Sequence, residues 1–539
     1  MPKINLNKKR VLSLIGKNIS DKELQEKIPY LGTDLEVITK DEIEVEIFPN
    51  RPDLLSEEGF SRALRSFLGI SSNTKYEIKK SKEYKVIVEK DVEKVRPYTV
   101  CAVIKKADLN EEKLNNLINI QEKLHVTHGR NRSKCAIGIY PMRKIKFPIK
   151  YTAKKPSEIK FRTIESDKKL TAKEILETTS KGKEYKKLLK GKEKYPLFID
   201  SNNEILSMPP IINSYETGLV SVEDKELFVE CSGTDLETLQ KALNMICFSM
   251  IDMGFEVYEV EVSYSKEKII TPDFKEEQIK VSKDYINNYL GLNLTEKEIK
   301  KNLEKMNIKY EKEVALVPCY RTDILHEIDV VEDVAIGYGY YNISSESQKV
   351  FTPGKEDFGE KVKRKLREYL VGLNMIENVS FDIINKELQE KIGHKEITDL
   401  MHPVSLEYNS LRKTILVSLL KNLKNNKNSG YPQEIFEFGN VYEKEEKENL
   451  GLILTGEFTL TNMLQNLNQI QKSLGIEFEL KRLENIYFIE GRSFSINYKG
   501  KEVGLVGEIK PEIIDLFELE VAVIGMEIYF DEVVKEISN

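Results

Sequence analysis

The sequence predicts an α+β protein of several domains. Short apolar–polar alternations of strand type are interleaved along the chain with capped amphipathic helices. The length of 539 residues leaves room for roughly three to five folding units at about 100–200 residues each. Three polar stretches, Ile70 to Lys85, Val262 to Glu277 and Ser344 to Asp357, have linker character, and the last two carry proline.

The first segment combines a short helix (SDKELQEKI), a strand (EIEVEIF) and a turn at Pro49 to Asp53. A second helix follows, with Ser56 as its N-cap. In the second segment KVIVEK and YTVCAVIKK read as strands and EEKLNNLINIQEKLH as an amphipathic helix. Thr234 and Glu237 form a capping-box pattern. It opens a helix that places Leu236, Leu239, Leu243, Ile246 and Met250 on one face, with Gly254–Phe255 closing it. In the third segment Thr295 and Glu298 make another capping box, Leu303 and Met306 face inward, and Asn307 ends the helix. With the strand VALVP this suits a winged-helix-like module. The last segment has helices over KVKRKLREYLVGL and NSLRKTILVSLLKNLKNNK. Its strands are GLILTG, RSFSINY, GLVGEI and AVIGMEIYF, which predicts an antiparallel sheet.

Bulk properties narrow the function classes. A net charge of −6 confines any nucleic-acid contact to local patches. Two such patches are Arg130, Arg132 and Lys134, and the lysine-rich run from Lys181 to Lys194. The five cysteines are widely spaced, with no CxxC pair. That points to reduced thiols in a cytoplasm and away from a disulfide framework. Neither a signal peptide nor a membrane span is expected. His125 and His128 have ligand spacing but no third ligand nearby, so helix-end or RNA contacts are expected of them.

The densest chemistry lies in YRTDILHEIDVVEDVAIGYGYY, Tyr320 to Tyr341. It holds Asp323, Asp329, Glu332 and Asp333, and the last three fall at i, i+3 and i+4 on one side of a helix. Clustered carboxylates repel unless a charge cancels them, and a hard divalent cation with oxygen ligands does so. An acid-rich helix start favoured by the helix dipole has the same pattern.

Several long strings, in one order, resemble the β subunit of phenylalanyl-tRNA synthetase in its shorter archaeal and eukaryotic form. NRPDLLSEEGFSRALRSFLG (Asn50 to Gly69) resembles the family's N-terminal signature. QEKLHVTHGRNRSKCAIGIY (Gln121 to Tyr140), SMPPIINS (Ser207 to Ser214) and FVECSGTD (Phe228 to Asp235) resemble its editing-type domain. The acidic segment resembles its metal-linked module. Leu411 to Tyr442 and Gly507 to Glu520 resemble its catalytic-like domain.

The resemblance implies four domains: 1–82, N-terminal α+β; 83–266, editing-type and tRNA-binding; 267–346, winged-helix-like with a magnesium site; 347–539, catalytic-like and facing an α subunit. It implies an (αβ)2 heterotetramer that attaches phenylalanine to tRNA(Phe) with ATP at a site on the α subunit. It further implies that Asp323, Asp329, Glu332 and Asp333 bind Mg2+. An acidic residue near the Asn213–Ser214 pair is implied for hydrolytic editing of Tyr-tRNA(Phe). Here Tyr215 takes the direct position and Glu216 follows, so Glu216 is the editing candidate. Tyr140–Pro141 stands where relatives commonly have a His–Asp pair.

The chain's own residues argue against an independent ligase. No GxxxxGK[ST] loop is present, the Phe161 to Glu165 run misses the fRxE spacing by one residue, and Ile509 stands where a class II arginine is expected. A free-standing trans-editing hydrolase and a tRNA-binding scaffold remain as alternatives.

Overall fold

The computed structural model describes residues 2–70, 74–348 and 350–538; parts of the first and third polar stretches, 71–73 and 349, lie outside the described residues. The chain divides into two compact units, Met1–Ser347 and Gln348–Asn539. Both mix helices with sheets. No helix among the described residues is long and apolar enough to cross a membrane.

The first unit starts with a three-stranded antiparallel sheet, Lys3–Asn7, Thr33–Ile38 and Glu42–Ile47, with Glu42–Ile47 in the centre. The alternation of EIEVEI buries Ile43, Val45 and Ile47 on one face. The helix Glu57–Phe67 is capped by Ser56, whose hydroxyl accepts from Gly59 N at 3.0 Å.

Two larger sheets follow. In a five-stranded sheet, Leu227–Gly233 lies between Tyr98–Lys105 and Cys135–Pro141, antiparallel to both. The period of two sends Val229 and Cys231 to one face, where they join the core under the helices Glu111–Val126 and Leu236–Asp252. Phe228 goes to the other face, with Cys101, Val103 and Tyr140, against Tyr151 and Phe198 of a seven-stranded mixed sheet. Glu230 and Ser232 share that second face by alternation. The helix over Leu236–Asp252 buries Leu239, Leu243, Ile246 and Met250 as its pattern requires. Its cap is not Thr234 but Asp235, which accepts from Thr238 N at 2.8 Å. Both residues are competent caps, and the extended backbone of Asp235 selects it.

The unit ends in three helices, Lys283–Leu290, Glu296–Lys305 and Glu327–Tyr338, with a three-stranded sheet of Glu277–Lys280, Val314–Val317 and Lys309–Glu311. The Thr295–Glu298 capping box forms as read. Gly337 lets the last two helices approach closely, because a Cβ there would stand 2.2 Å from the Asn302 carbonyl oxygen.

The second unit is built on a seven-stranded sheet, antiparallel except for the edge strand Ile376–Glu377. Phe358–Gly372, Leu460–Leu474 and Phe530–Ser538 cover one face through Leu366, Met463, Leu467 and Phe530. Ile415–Asn425 covers the other through Ile415, Leu416 and Leu419. The helix expected over 409–427 begins only at Ile415. Ser410–Leu411 pairs as a strand with Ile383–Ile384, and Thr414 caps the helix.

Gly337→Ala forces two backbones apart, and a loss of about 1–3 kcal/mol is expected. Denaturant melts of the variant measure it; an unchanged midpoint would contradict the close helix approach.

Candidate pocket and candidate metal centre

A cavity of about 140 Å³ opens beside the two large sheets of the first unit, and Glu230, Ser207, Arg132, Glu122, Asn213 and Lys181 are among its lining residues. Arg132 holds one wall. Its guanidinium donates to the carbonyls of Pro210 (3.2 Å) and Ile211 (2.9 Å) and to Glu122 Oε1 (2.9 Å), and it lies over the Tyr185 ring. His125 is buried. Its Nε2 accepts from Ile137 N at 2.8 Å and its Nδ1 donates to Glu122 at 3.1 Å, which fixes a neutral tautomer. Burial lowers its pKa. Burial opposes the Glu122 charge, yet His125, Arg132 and Lys181 bring that carboxyl down to about 2. His128 donates to the Thr238 carbonyl at 2.9 Å, so both histidines are spent on structure.

Glu230 is the unusual group. It is 2% exposed and pairs in register with Gly138 on one side and Cys101 on the other. The Tyr140 hydroxyl lies 3.1 Å from its Oε1 and 2.7 Å from Ser207 Oγ. Its Oε2 is buried with no hydrogen-bond partner of normal geometry, although Ser232 lies beside it. Burial, offset only in part by Tyr140 and Arg96, pushes the carboxyl up to about 8. A buried carboxyl beside a cavity with one oxygen unpaired has a hydrogen bond left to make.

Glu216 sits elsewhere. It is exposed on the short helix Tyr215–Gly218, where it accepts from Ser214 Oγ at 3.1 Å. The cavity wall includes Asn213 but not Glu216. Sequence reading passed over Glu230, although an acid inside LFVECSG is the signal that finds it. Glu165, in the run that resembles fRxE, accepts from Ser180 N and Oγ at 2.7 Å and so acts as a helix cap.

The acidic segment gathers around a cation of its own. Arg321, fully buried, donates to both oxygens of Asp323 (2.8 and 2.7 Å) and to Asp333 Oδ2 (2.8 Å). Burial raises the Asp333 pKa against the pull of Arg321 and Arg51. Asp329 caps the helix Glu327–Tyr338, its Oδ2 accepting from Leu325 N and His326 N at 2.7 Å. Glu332 is exposed one turn further on. The four carboxylates do not all converge on one point. Among the described residues, acids close enough for a shared ion are instead Asp34, Glu36 and Glu46. As a donor set the four are oxygen-only, which suits magnesium. That ion needs one or two carboxylates and keeps waters. Asp329 and Glu332 make no bond to Arg321, so their carboxylates are the ones that would hold it.

The chain resembles known proteins along nearly its whole length. Family models match at 1–70 (Phe-tRNA synthetase beta subunit B1 domain), 279–340 (tRNA synthetase B5 domain) and 344–530 (Phenylalanyl tRNA synthetase beta chain CLM domain). Phenylalanine–tRNA ligase beta subunits are similar to it: that of Pyrococcus abyssi is 38% identical over 98% of this chain and 99% of its own. That of Archaeoglobus fulgidus is 36% identical over 98% of each. The crystal structure of an N-terminal fragment of the Pyrococcus horikoshii phenylalanyl-tRNA synthetase beta subunit matches with a TM-score of 0.59 at 38% identity. The match covers 63% of this chain and 100% of the fragment.

The folded chain holds the Glu230 proton up to about pH 8, against an ordinary value of 4.5. Between those values the folded state binds more protons than the unfolded one, so stability falls as pH rises. Glu230→Gln should flatten that slope. Melts at about pH 5 and about pH 9 would show wild type losing on the order of a few kcal/mol relative to the variant; parallel curves would remove the raised carboxyl.

Proposed function

The chain belongs to the family of phenylalanine–tRNA ligase β subunits, and from that premise we propose that it is the structural and editing half of an (αβ)2 synthetase. It is a ligase subunit of an aminoacyl-tRNA synthetase. In this reading, ligation of phenylalanine to tRNA(Phe) with ATP occurs on the α subunit, in the cytoplasm. The second unit is the catalytic-like, class II-type domain. Its buried Arg412 supports a non-catalytic role. That guanidinium is buried and held by Glu437 (2.7 Å), Asp382 (2.9 Å) and the Asn440 carbonyl (2.7 Å), which neutralise the charge a phosphate would need. Ile509 offers none either.

The α subunit is proposed to cover an apolar surface on this unit. Val379, Phe381, Met401, Val404 and Leu406 are each at least 74% exposed. The Phe381–Tyr408 ring contact and the Asn385–Leu406 hydrogen bond join their two segments. Exposed apolar clusters of this kind mark protein interfaces.

Editing is carried by one observation, the orphan Glu230 Oε2 in a cavity. A tyrosine mischarged onto tRNA(Phe) differs from phenylalanine by a hydroxyl, and a buried carboxyl with an unmade hydrogen bond discriminates strongly for such a group. Hydrolysis adds water to the ester carbonyl and expels the ribose oxygen, which takes the proton. The ester is already activated, so placing the water is the main task. Glu230 is the recognising acid in this reading, while Glu216, on the short helix after Ser214, is outside the cavity wall. A trans-editing hydrolase would not need the second unit, and a pure scaffold would not need the pocket.

Magnesium is proposed at the acidic segment, with Asp329 and Glu332 as direct ligands. Asp323 and Asp333 stand behind them on Arg321, and the partner or water supplies the remaining oxygens. A cation there would neutralise the joint between subunits.

Phenylalanine-dependent ATP–pyrophosphate exchange should be absent for this chain alone and appear with the α subunit. Phe381→Asp with Val404→Asp should abolish co-purification of the two; exchange by the lone chain would overturn the division of labour. Magnesium added back to the chelated complex should raise its melting temperature. Glu332→Ala should weaken that response roughly tenfold or more; an identical titration would exclude Glu332.

A further inference from the structure

Tyr140 is fully buried and projects from Cys135–Pro141 on the same face as Glu230. Two features let it reach the carboxylate. Its ring rests on Phe228, with centroids 5.9 Å apart. The residue paired with Glu230 is Gly138, where a Cβ would stand 2.3 Å from the Tyr140 hydroxyl and 2.5 Å from Glu230 Oε1. Only glycine leaves room for the phenol to meet the acid.

The hydroxyl also reaches Ser207 Oγ, which belongs to the opposite sheet. It thus ties two of the cavity's polar groups, Ser207 and Glu230, together. A phenol has one proton to donate and an oxygen that accepts, so Ser207, Tyr140 and Glu230 form one chain. Oε1 is committed to that chain, and Oε2 is left without a partner.

We propose that Tyr140 is a positioning residue of this pocket: it pins Glu230 and Ser207 so that Glu230 keeps Oε2 unpaired for a phenolic hydroxyl on the aminoacyl group. The inference rests on the editing reading above. The other titratable or charged groups near Glu230 are Arg96, Tyr151 and Cys101, with Cys231 on the reverse of its strand. Arg96 spends its guanidinium on the carbonyls of Arg132, Ser133 and Ser232. Tyr151 donates to the Arg96 carbonyl at 2.8 Å. Among these groups only Tyr140 hydrogen-bonds Glu230.

The test uses the complex with its α subunit and measures deacylation of Tyr-tRNA(Phe) and Phe-tRNA(Phe) by wild type and Tyr140→Phe. The variant keeps the ring and loses the tie. The preference for the tyrosyl ester should fall roughly five- to tenfold, the worth of one hydrogen bond, chiefly through KM. The pH midpoint of that preference should move upward, because the Tyr140 hydrogen bond favours the charged form of Glu230. Ser207→Ala, which removes the other anchor, should also reduce the preference. Phenylalanine charging by the same preparations controls for folding. An equal fall on both esters with an unmoved midpoint makes Tyr140 mere packing and overturns the proposal. Absence of tyrosyl hydrolysis in wild type removes the editing reading and this inference together; hydrolysis with an unaltered Tyr140→Phe removes this inference alone.

Discussion

Buried guanidinium–carboxylate pairing is the constraint on which the first unit depends. Arg51 grips Asp53 through two bonds of 2.9 and 2.8 Å, and Arg321 grips Asp323 and Asp333. Arg62 pairs with Asp252 and lies over the Tyr320 ring at 4.5 Å, while Tyr76 donates to the same aspartate at 2.7 Å. These residues come from the first eighty, the long central helix and the acidic segment, so one ionic knot joins parts far apart in sequence. Burying such charges costs several kcal/mol each unless their geometry is good. Deleting one partner strands the other. What the knot supplies is a fixed mutual orientation, since fork-shaped pairs tolerate little rotation.

The two units use charge in opposite ways. In the second, Arg412 and Glu437 are both about 1% exposed in their side chains and neutralise each other beneath the sheet. Glu527 is satisfied by Asn449 and the Ile415 amide. Among the described residues Ser473 Oγ is the buried side-chain atom of that unit left without a partner, whereas in the first unit carboxyl oxygens of Glu58 and Glu230 are left open.

Much of the fold was legible in the sequence. Helical period placed the buried stripe of Leu236–Asp252, and the Thr295 box formed where its spacing put it. Caps were legible to within a residue, because Thr234 and Asp235 are both suitable and backbone geometry decides between them. The start of Ile415–Asn425 was not, since Ser410–Leu411 is drawn into a strand by Ile383–Ile384, well upstream. The pocket was the hardest part. Glu216 attracts attention because it lies near Asn213 in the chain, but the cavity is assembled across sheets, from Glu230, Ser207 and Arg132. No local spacing encodes that meeting. The acidic segment shows the converse. Its spacing was visible, and so was Arg321 two residues before Asp323, yet only burial makes the arginine the hub.

The strand Leu227–Gly233 carries a further consequence. Its even-numbered residues, Phe228, Glu230 and Ser232, look toward the opposite sheet, and its odd-numbered ones are locked into the helical side of the core. Within that strand, substitutions that retune the cavity are therefore limited to every second letter. An insertion of a single residue would exchange the whole vocabulary for Val229 and Cys231, silencing the cavity while leaving the sheet itself paired.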